Sequence, residues 1–423
     1  MVNGVLFHFR GLGEFIWEKV VINHLRNLEI TLSASFGYEA NPEIRKVLED
    51  FRDMVNWCIK RAFELKVTGF AKLWKAVHEE WKSRWGYSTH YCHSVCRVAT
   101  SMLKSWRRLK RKGLAKEDKP VAKKLFMHLD PTLVKYEGDK VRISVKPKQF
   151  LYIQLKYGSY QKKFIEEWKA GRLRVGEITI NETKVLIPFR KDVDLTNPKD
   201  WIAIDINESN ITCVSSNPHI LRIDHSLRTI HTTYFQIRRK IQKLSRYKPI
   251  ASKKLLRKYR GRERHKAKDV CHKLAKTVVN FAKKYGFGII MEDLKGIKRG
   301  IRKGRKLNRR LYSWNARQLQ TYIEYKANLN GLPVVYVNPR GTSSLCPRCS
   351  EKLAPNGHRR LKCRKCGYEN DRDVIACLNI LRMRGVKVPP ESLQMTLPDG
   401  GSFIRCALRN RTCFTGSYGC KCF

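Results

Sequence analysis

The chain has 423 residues and carries 87 Lys+Arg against 37 Asp+Glu, a formal net charge of +50. So large an excess goes beyond solubility tuning and implies a polyanionic partner, with nucleic acid the leading class and a membrane surface the rival. The membrane is disfavoured, because no apolar run approaches the roughly 18 residues of a spanning helix, and residues 1–26 show no lipidation motif or secretory segment. A hydrophobic content of 42% over this length supports real cores and two to four domains. Most of the 14 cysteines outside one cluster are scattered singly (Cys58, Cys213, Cys271, Cys377), which fits a reducing, intracellular setting better than secretion.

In chain order, residues 1–28 show no clear period and are left unassigned. Alternation at 28–36 predicts a strand. Asn41 and Pro42 then start a helix with an apolar stripe of Ile44, Val47, Leu48, Phe51, Val55 and Ile59. Helices are expected at 70–85 and 91–111, in a region rich in tryptophan (Trp57, Trp74, Trp81, Trp85, Trp106) that reads mostly as core. This region ends in a run of cations, among them Arg107, Arg108, Lys110 and Arg111, beside Trp106. That interleaving suits phosphate contact. After a charged linker at 113–119, residues 125–189 switch to short strands separated by turns, which predicts a small β-barrel. The strand at 28–36 would complete the barrel, and the helices of 41–112 would be an insertion in it.

A continuous apolar strand at 201–207 contains Asp205 near its C-terminal end, a costly placement unless the charge is compensated. Strands at 211–215 and 220–224 follow, then a long basic helical region at 234–285, interrupted near Lys248 and Pro249. A buried strand at 286–291 ends in Glu292 and Asp293. The loop at 295–306 is strongly basic, and Lys295, Lys298 and Arg299 in it, with Arg340 beyond it, are expected nucleic-acid contacts. A helix is expected at 313–331 and a strand at 333–337, and Arg340 lies on the path into a cysteine cluster.

That cluster is two Cys-x-x-Cys knuckles, Cys346/Cys349 and Cys363/Cys366, thirteen residues apart. Four thiolates at this spacing suit one tetrahedral zinc, with Pro347 and Gly367 supplying turn chemistry. Directly after it, Asp371-Arg372-Asp373 leads into a helix with Val374, Ile375, Leu378 and Leu381 on its apolar stripe. Taken alone, these two acids could simply cap and charge the helix N-terminus. The order of elements changes that reading. Three strands, a helical region, a strand ending in an acid, a helix, a strand and a helix headed by an acid is the order of an RNase H-like fold. Asp205, Glu292 and Asp373 would meet at one sheet edge.

These residues resemble the TnpB (OrfB) family of insertion-sequence proteins, relatives of the compact type V CRISPR effectors. The resemblance is strongest over 201–384. It rests on Ile204-Asp205-Ile206-Asn207, on Met291-Glu292-Asp293-Leu294, on the ribbon with its lead-in Thr342-Ser343-Ser344-Leu345-Cys346, and on Asp371-Arg372-Asp373 with Asn379-Ile380. One departure stands out: Ile375-Ala376-Cys377 replaces the Asn-Ala-Ala common in the family.

The resemblance implies a multidomain α+β chain. Residues 1–40 would hold an N-terminal segment and the first wedge strand, 41–119 a helical recognition lobe, and 120–197 a wedge β-barrel. A RuvC-like nuclease domain would occupy 198–340, with a zinc ribbon at 341–370 and a last motif helix at 371–386. Residues 387–423 would be a tail without fixed structure, in which Cys406, Cys413, Cys420 and Cys422 offer a second, weaker metal hypothesis.

The activity implied is RNA-guided DNA cleavage by metal-dependent phosphodiester hydrolysis next to a short flanking motif. Asp205, Glu292 and Asp373 would hold two Mg²⁺ (or Mn²⁺) ions, since hard cations want carboxylate oxygen. Asp205 would bridge the ions, while Cys346, Cys349, Cys363 and Cys366 hold one structural Zn²⁺. The partners expected are a guide RNA and double-stranded target DNA, and no membrane. The chain would be a monomer or homodimer, in a prokaryotic cytoplasm and at the nucleoid when bound to DNA. Two other readings stay open: a transposase acting on element ends without RNA, and a nuclease-inactive RNA-guided binder.

Overall fold

The computed structural model describes residues 27–394 except 116, 217–218 and 299–303. The unassigned 1–26, Arg299 and the cysteine-bearing 395–423 lie outside the described residues. The chain divides into two compact units, Glu29–Asp192 and a second that begins at Val193.

The first unit opens with strand β1 (Asn27–Gly37), followed by helices α1 (Pro42–Glu64), α2 (Phe70–Trp85) and α3 (Thr89–Lys110). The Asn41 side chain accepts from the backbone N–H of Glu43 and Pro42 sits in the first turn, the combination that starts α1 as expected. The predicted stripe is buried along its length, and Trp81 is fully buried while Trp74 stays 37% exposed.

The strands expected as one barrel are instead divided between two antiparallel sheets. One joins β1 to β8 (Lys184–Asp194), β7 (Ile178–Asn181) and β2 (Phe126–Leu129), with β6 (Arg174–Val175) paired to β8. The other has three strands: β3 (Val134–Glu137), β4 (Lys140–Lys146) and β5 (Gln149–Gln154). A bridge between Gly37 and Lys156 links them over a shared core. A helix that the sequence reading missed, α4 (Ser159–Lys169), sits between the sheets in sequence. Phe164 of this helix stacks on Phe189 with ring centroids 5.3 Å apart, and Gln161 bonds both the Gly158 N–H and the Ser35 carbonyl.

The second unit is built on a five-stranded sheet in the order β11–β10–β9–β12–β13. Here β9 is Asp200–Ile206, β10 Asn210–Ser215, β11 Ile220–Asp224, β12 Phe287–Glu292 and β13 Val334–Val337. The first three strands pair antiparallel, and β9, β12 and β13 run parallel. The long basic region is three helices: α5 (Leu227–Leu244), α6 (Pro249–Tyr259) and α7 (Arg262–Tyr285). Pro249 begins the second of them, as the interruption predicted.

The helix expected at 313–331 is present as α9 (Ala316–Leu329), and a helix the sequence reading missed, α8 (Arg305–Ser313), precedes it. Trp314 adopts an extended backbone that breaks the run. Lys298 holds the break, donating to the carbonyls of Tyr312 (2.8 Å) and Trp314 (2.7 Å).

The alternation of side chains sorts this sheet into two faces. Ile202, Ile204 and Ile206 of β9, with Phe287, Ile289 and Met291 of β12, pack against α5, α7 and α9. Ala203 and Ile290 pack on the opposite face, against helix α10 (Arg372–Met383) through Val374, Ile375, Cys377 and Leu378. By the same period of two, Asp205 and Glu292 belong to the α10 face. Gly288 is required on that face too, because a Cβ there would lie 2.6 Å from the Trp201 ring. Between β13 and α10 stands a small three-stranded sheet of β14 (Leu353–Pro355), β15 (Arg360–Cys363) and β16 (Glu369–Asp371).

Candidate functional site

Three carboxylates from three elements converge at one end of the five-stranded sheet. Asp205 and Glu292 end adjacent parallel strands, since Ile204 pairs with Met291 one position earlier. Asp373 enters from α10. Asp371 is the N-cap of that helix and its side chain accepts from the Asp373 N–H at 2.8 Å. Asp373 itself is 3% exposed.

Buried negative charge dominates the electrostatics. Burial, with Asp373 and Glu292 nearby, pushes the Asp205 carboxyl up to about 7. Burial likewise raises Glu292, against the Thr342 hydroxyl, and raises Asp373, against the Arg359 guanidinium. The local hydrogen bonds hold each group in place. Asn207 donates to Asp205 at 2.8 Å, Thr342 donates to Glu292 at 2.5 Å, and the Gln320 amide donates to the Glu292 backbone carbonyl at 2.6 Å. Arg359 pairs with Asp373, and Arg222 approaches both Asp371 (3.8 Å) and Asp373 (3.9 Å).

Such a set of oxygens around uncompensated charge fits a divalent cation, which would take over the role of the missing counter-charge. Among the described residues, however, the carboxylates are not all within 4.8 Å of one another; the group that meets this limit is the four cysteines. Their sulfur separations of 3.4, 3.5 and 3.6 Å are close to the roughly 3.8 Å edge that zinc–sulfur bonds of about 2.3 Å produce in a tetrahedron.

The two knuckles are built alike. The residue four positions after the first cysteine donates to that cysteine's carbonyl, Ser350 to Cys346 (2.8 Å) and Gly367 to Cys363 (3.1 Å). Both donors take left-handed backbone, with φ +62° at Ser350 and +70° at Gly367. The Cys366 backbone N–H lowers the Cys363 thiol to about 7, toward the thiolate a metal needs.

The ribbon and the carboxylates are one connected structure. Asn379 donates to the carbonyls of Thr342 (2.8 Å) and Leu345 (2.7 Å), and Thr342 in turn holds Glu292. Cys377, the departure from the family pattern, is fully buried and its thiol bonds the Thr212 carbonyl at 3.3 Å, opposite Asp205 in register.

The predicted nucleic-acid contacts are placed unevenly. Arg108, Lys110 and Arg111 are exposed and Arg107 is half-buried, all at the end of α3. There the Lys110 ammonium lies 4.9 Å from the Trp106 ring. Lys295 and Arg340 are exposed. Lys298 has two of its three donors on the carbonyls that shape the α8–α9 break. Sequence reasoning missed Arg222, Arg359 and Gln320. None carries a local motif, and only the folded sheet brings them to the acids.

Among the described residues no helix is long and apolar enough to cross a membrane. A family model described as "Cas12f1-like, TNB domain" matches residues 317–380, and one described as "Uncharacterized protein MJ0013 family" matches 47–144. The chain is 44% identical over 257 residues to the TnpB-like protein MJ0751 of Methanocaldococcus jannaschii, covering 59% of this chain and 92% of that protein. It is 36% identical over 126 residues to the CRISPR-associated endodeoxyribonuclease Cas12f1 of Sulfoacidibacillus thermotolerans, 29% of this chain and 28% of that one. The solved structure of the mini-RNA-guided endonuclease CRISPR-Cas phi3 shares the fold, with a TM-score of 0.53 at 11% identity over 86% of this chain and 94% of that one. With the motif order, the site and a relative matched over nearly its whole length, the chain belongs to the TnpB-like protein family.

Proposed function

We propose that this protein is an RNA-guided DNA endonuclease of the transposon-associated type V kind. The observation that carries the reading is the convergence of Asp205, Glu292 and Asp373 on the α10 face of one sheet, with their carboxyls raised by burial. On this reading the five-stranded unit is the RuvC-like nuclease domain, the four-cysteine module is a zinc ribbon holding one structural Zn²⁺, and the first unit supplies the recognition lobe and wedge.

Asp205, Glu292 and Asp373 would hold Mg²⁺ or Mn²⁺. Bound there, the metal supplies an activated water and charge stabilisation at the leaving oxygen. The chain's own residues do the positioning. Asn207 orients Asp205, Thr342 and Gln320 fix Glu292, and Asp371 caps α10 so that Asp373 is presented from its first turn. Arg359 and Arg222 offset part of the charge on Asp373. Sequence choice would lie in guide pairing, with the protein reading heteroduplex shape and a short flanking motif.

The test is to purify the full chain, sequence the RNA that copurifies, and replace the guide portion of that RNA. A single structured RNA should be recovered, and cutting of plasmid DNA in Mg²⁺ should move with the replaced guide. Random cellular RNA would sink the guided reading. Action on element ends without RNA would identify the transposase alternative, and guided binding with no cutting would identify the inactive binder.

A further inference from the structure

The β3–β4–β5 sheet presents a face that the reading above does not use. Val134, Val141, Ile143, Val145 and Ile153 are buried on its inner side. The register therefore sets Lys135, Arg142 and Tyr152 in one outward row and Ser144 beside Phe150 in the next. Phe150 and Tyr152 are 41% and 50% exposed on the edge strand, two positions apart. The Arg142 guanidinium, ion-paired to Glu137 at 3.3 Å, lies 4.4 Å from the Phe150 ring centroid and backs that ring. Between Val134 and Lys156 there are six Lys/Arg against two Asp/Glu. A core role does not account for these rings, since the inner face is already filled.

We propose that this face is a stacking platform for unpaired RNA, taking successive bases on Phe150 and Tyr152 with their phosphates toward Lys135, Lys146 and Lys148. Aromatic rings on a sheet, flanked by cations, offer every base a π-face and every phosphate a counter-charge. Duplex is a poor fit. Side chains two apart on a strand stand about 7 Å from each other, whereas duplex bases rise about 3.4 Å per step and are already covered on both faces. Splayed, single-stranded bases match the wider spacing. Ser144, opposite Phe150, and Gln154, two residues beyond Tyr152, place a hydroxyl and an amide on the same face. These are the groups that bond a ribose 2′-hydroxyl, which favours RNA over DNA. The proposal deepens the RNA-binding part of the reading above and does not depend on cleavage.

The experiment uses the full chain and a short unstructured RNA carrying 5-iodouridine. Irradiation should cross-link the peptide that contains Phe150 and Tyr152. The double variant Phe150→Ala, Tyr152→Ala should lose that cross-link and weaken single-stranded RNA binding by about tenfold or more, with the salt slope unchanged because no phosphate contact is removed. Phe150→Tyr should bind as wild type. Both positions are solvent-facing, so an unchanged thermal melt verifies the fold. The platform is overturned if the double variant binds like wild type, if cross-links map elsewhere, or if the deoxy strand or a duplex of the same sequence shows the same loss. Such a result with one structured RNA still copurifying leaves the guided reading standing. Random copurifying RNA sinks that reading while this test still reads the platform.

Discussion

Arg359, in the loop before β15, reaches out of the cysteine module to pair with Asp373 at the head of α10. Asp373 has a 4% exposed side chain, and Arg359 is its nearest counter-charge. Removing one member of a buried pair strands the other. Arg359→Gln should therefore raise the Asp373 carboxyl further and lower the stability of the zinc-loaded protein, without Mg²⁺ or Mn²⁺, by about 1–3 kcal/mol. Denaturant titration of the zinc-loaded chain without added Mg²⁺ or Mn²⁺ checks this, and a stability equal to wild type would show that Arg222 alone compensates Asp373.

Removing a single carboxylate of the site should abolish cutting and spare guided binding. Asp205→Ala, Glu292→Ala and Asp373→Ala are expected to lower cleavage by several orders of magnitude, since ligand loss impairs metal binding itself. Asp371→Ala removes a cap and should cost about 1 kcal/mol of stability while retaining most activity. Cleavage assays and target-binding assays on the four variants separate the roles. An active Asp373→Ala beside a dead Asp371→Ala would reverse the assignment.

The four knuckle cysteines should bind one zinc. Metal analysis of the purified chain is expected to return about one zinc per molecule. Cys363→Ser should reduce both zinc content and soluble yield, because binding energy in such a module is folding energy. A folded wild type with no zinc would refute the assignment.

Thr342 links the ribbon to the carboxylates. Thr342→Val keeps the shape and deletes the hydroxyl that donates to Glu292 at 2.5 Å. The expected outcome is an intact fold, normal RNA binding and a reduced cleavage rate that recovers in Thr342→Ser. A rate unchanged in Thr342→Val would show that Gln320 and the strand suffice to place Glu292.

Without Mg²⁺ or Mn²⁺, Asp205 should contribute stability that is lost as pH rises from about 4 to 7, against the opposite trend of His225, whose burial lowers it to about 4. The Asp205 carboxyl lies at 3.8 in a free chain and is pushed up to about 7 in the fold, so the folded state keeps a proton that the unfolded state gives up. This contribution is then largest below the free-chain value and falls until the folded value is passed. Glu292 and Asp373 shift in the same direction. Thermal melts of the zinc-loaded protein without added Mg²⁺ or Mn²⁺ should show the stability of wild type relative to Asp205→Asn falling across this range.

Local pattern alone located most of the second unit. The apolar runs at 201–207 and 286–291, the knuckle spacing and the stripe after Asp373 are short-range signals, and the structure has an element at each. The acids at the strand ends were legible because a carboxylate in an apolar run is physically anomalous wherever it occurs. What local pattern could not supply were the facts set by long-range packing. The strands of the first unit read as one barrel, but α4 separates β5 from β6 in sequence and the strands pair as two sheets. Lys298 read as a loop cation, and the fold gives two of its three donors to the α8–α9 break. Arg222, Gln320 and Arg359 lie far from the acids in sequence and carry no motif. They become part of the site because β11 pairs beside β10, α9 packs under β12, and the cysteine module folds back over α10. Residue type and spacing report what a segment can form, whereas the partners of a buried charge are chosen by the whole fold, which must satisfy it once water is gone.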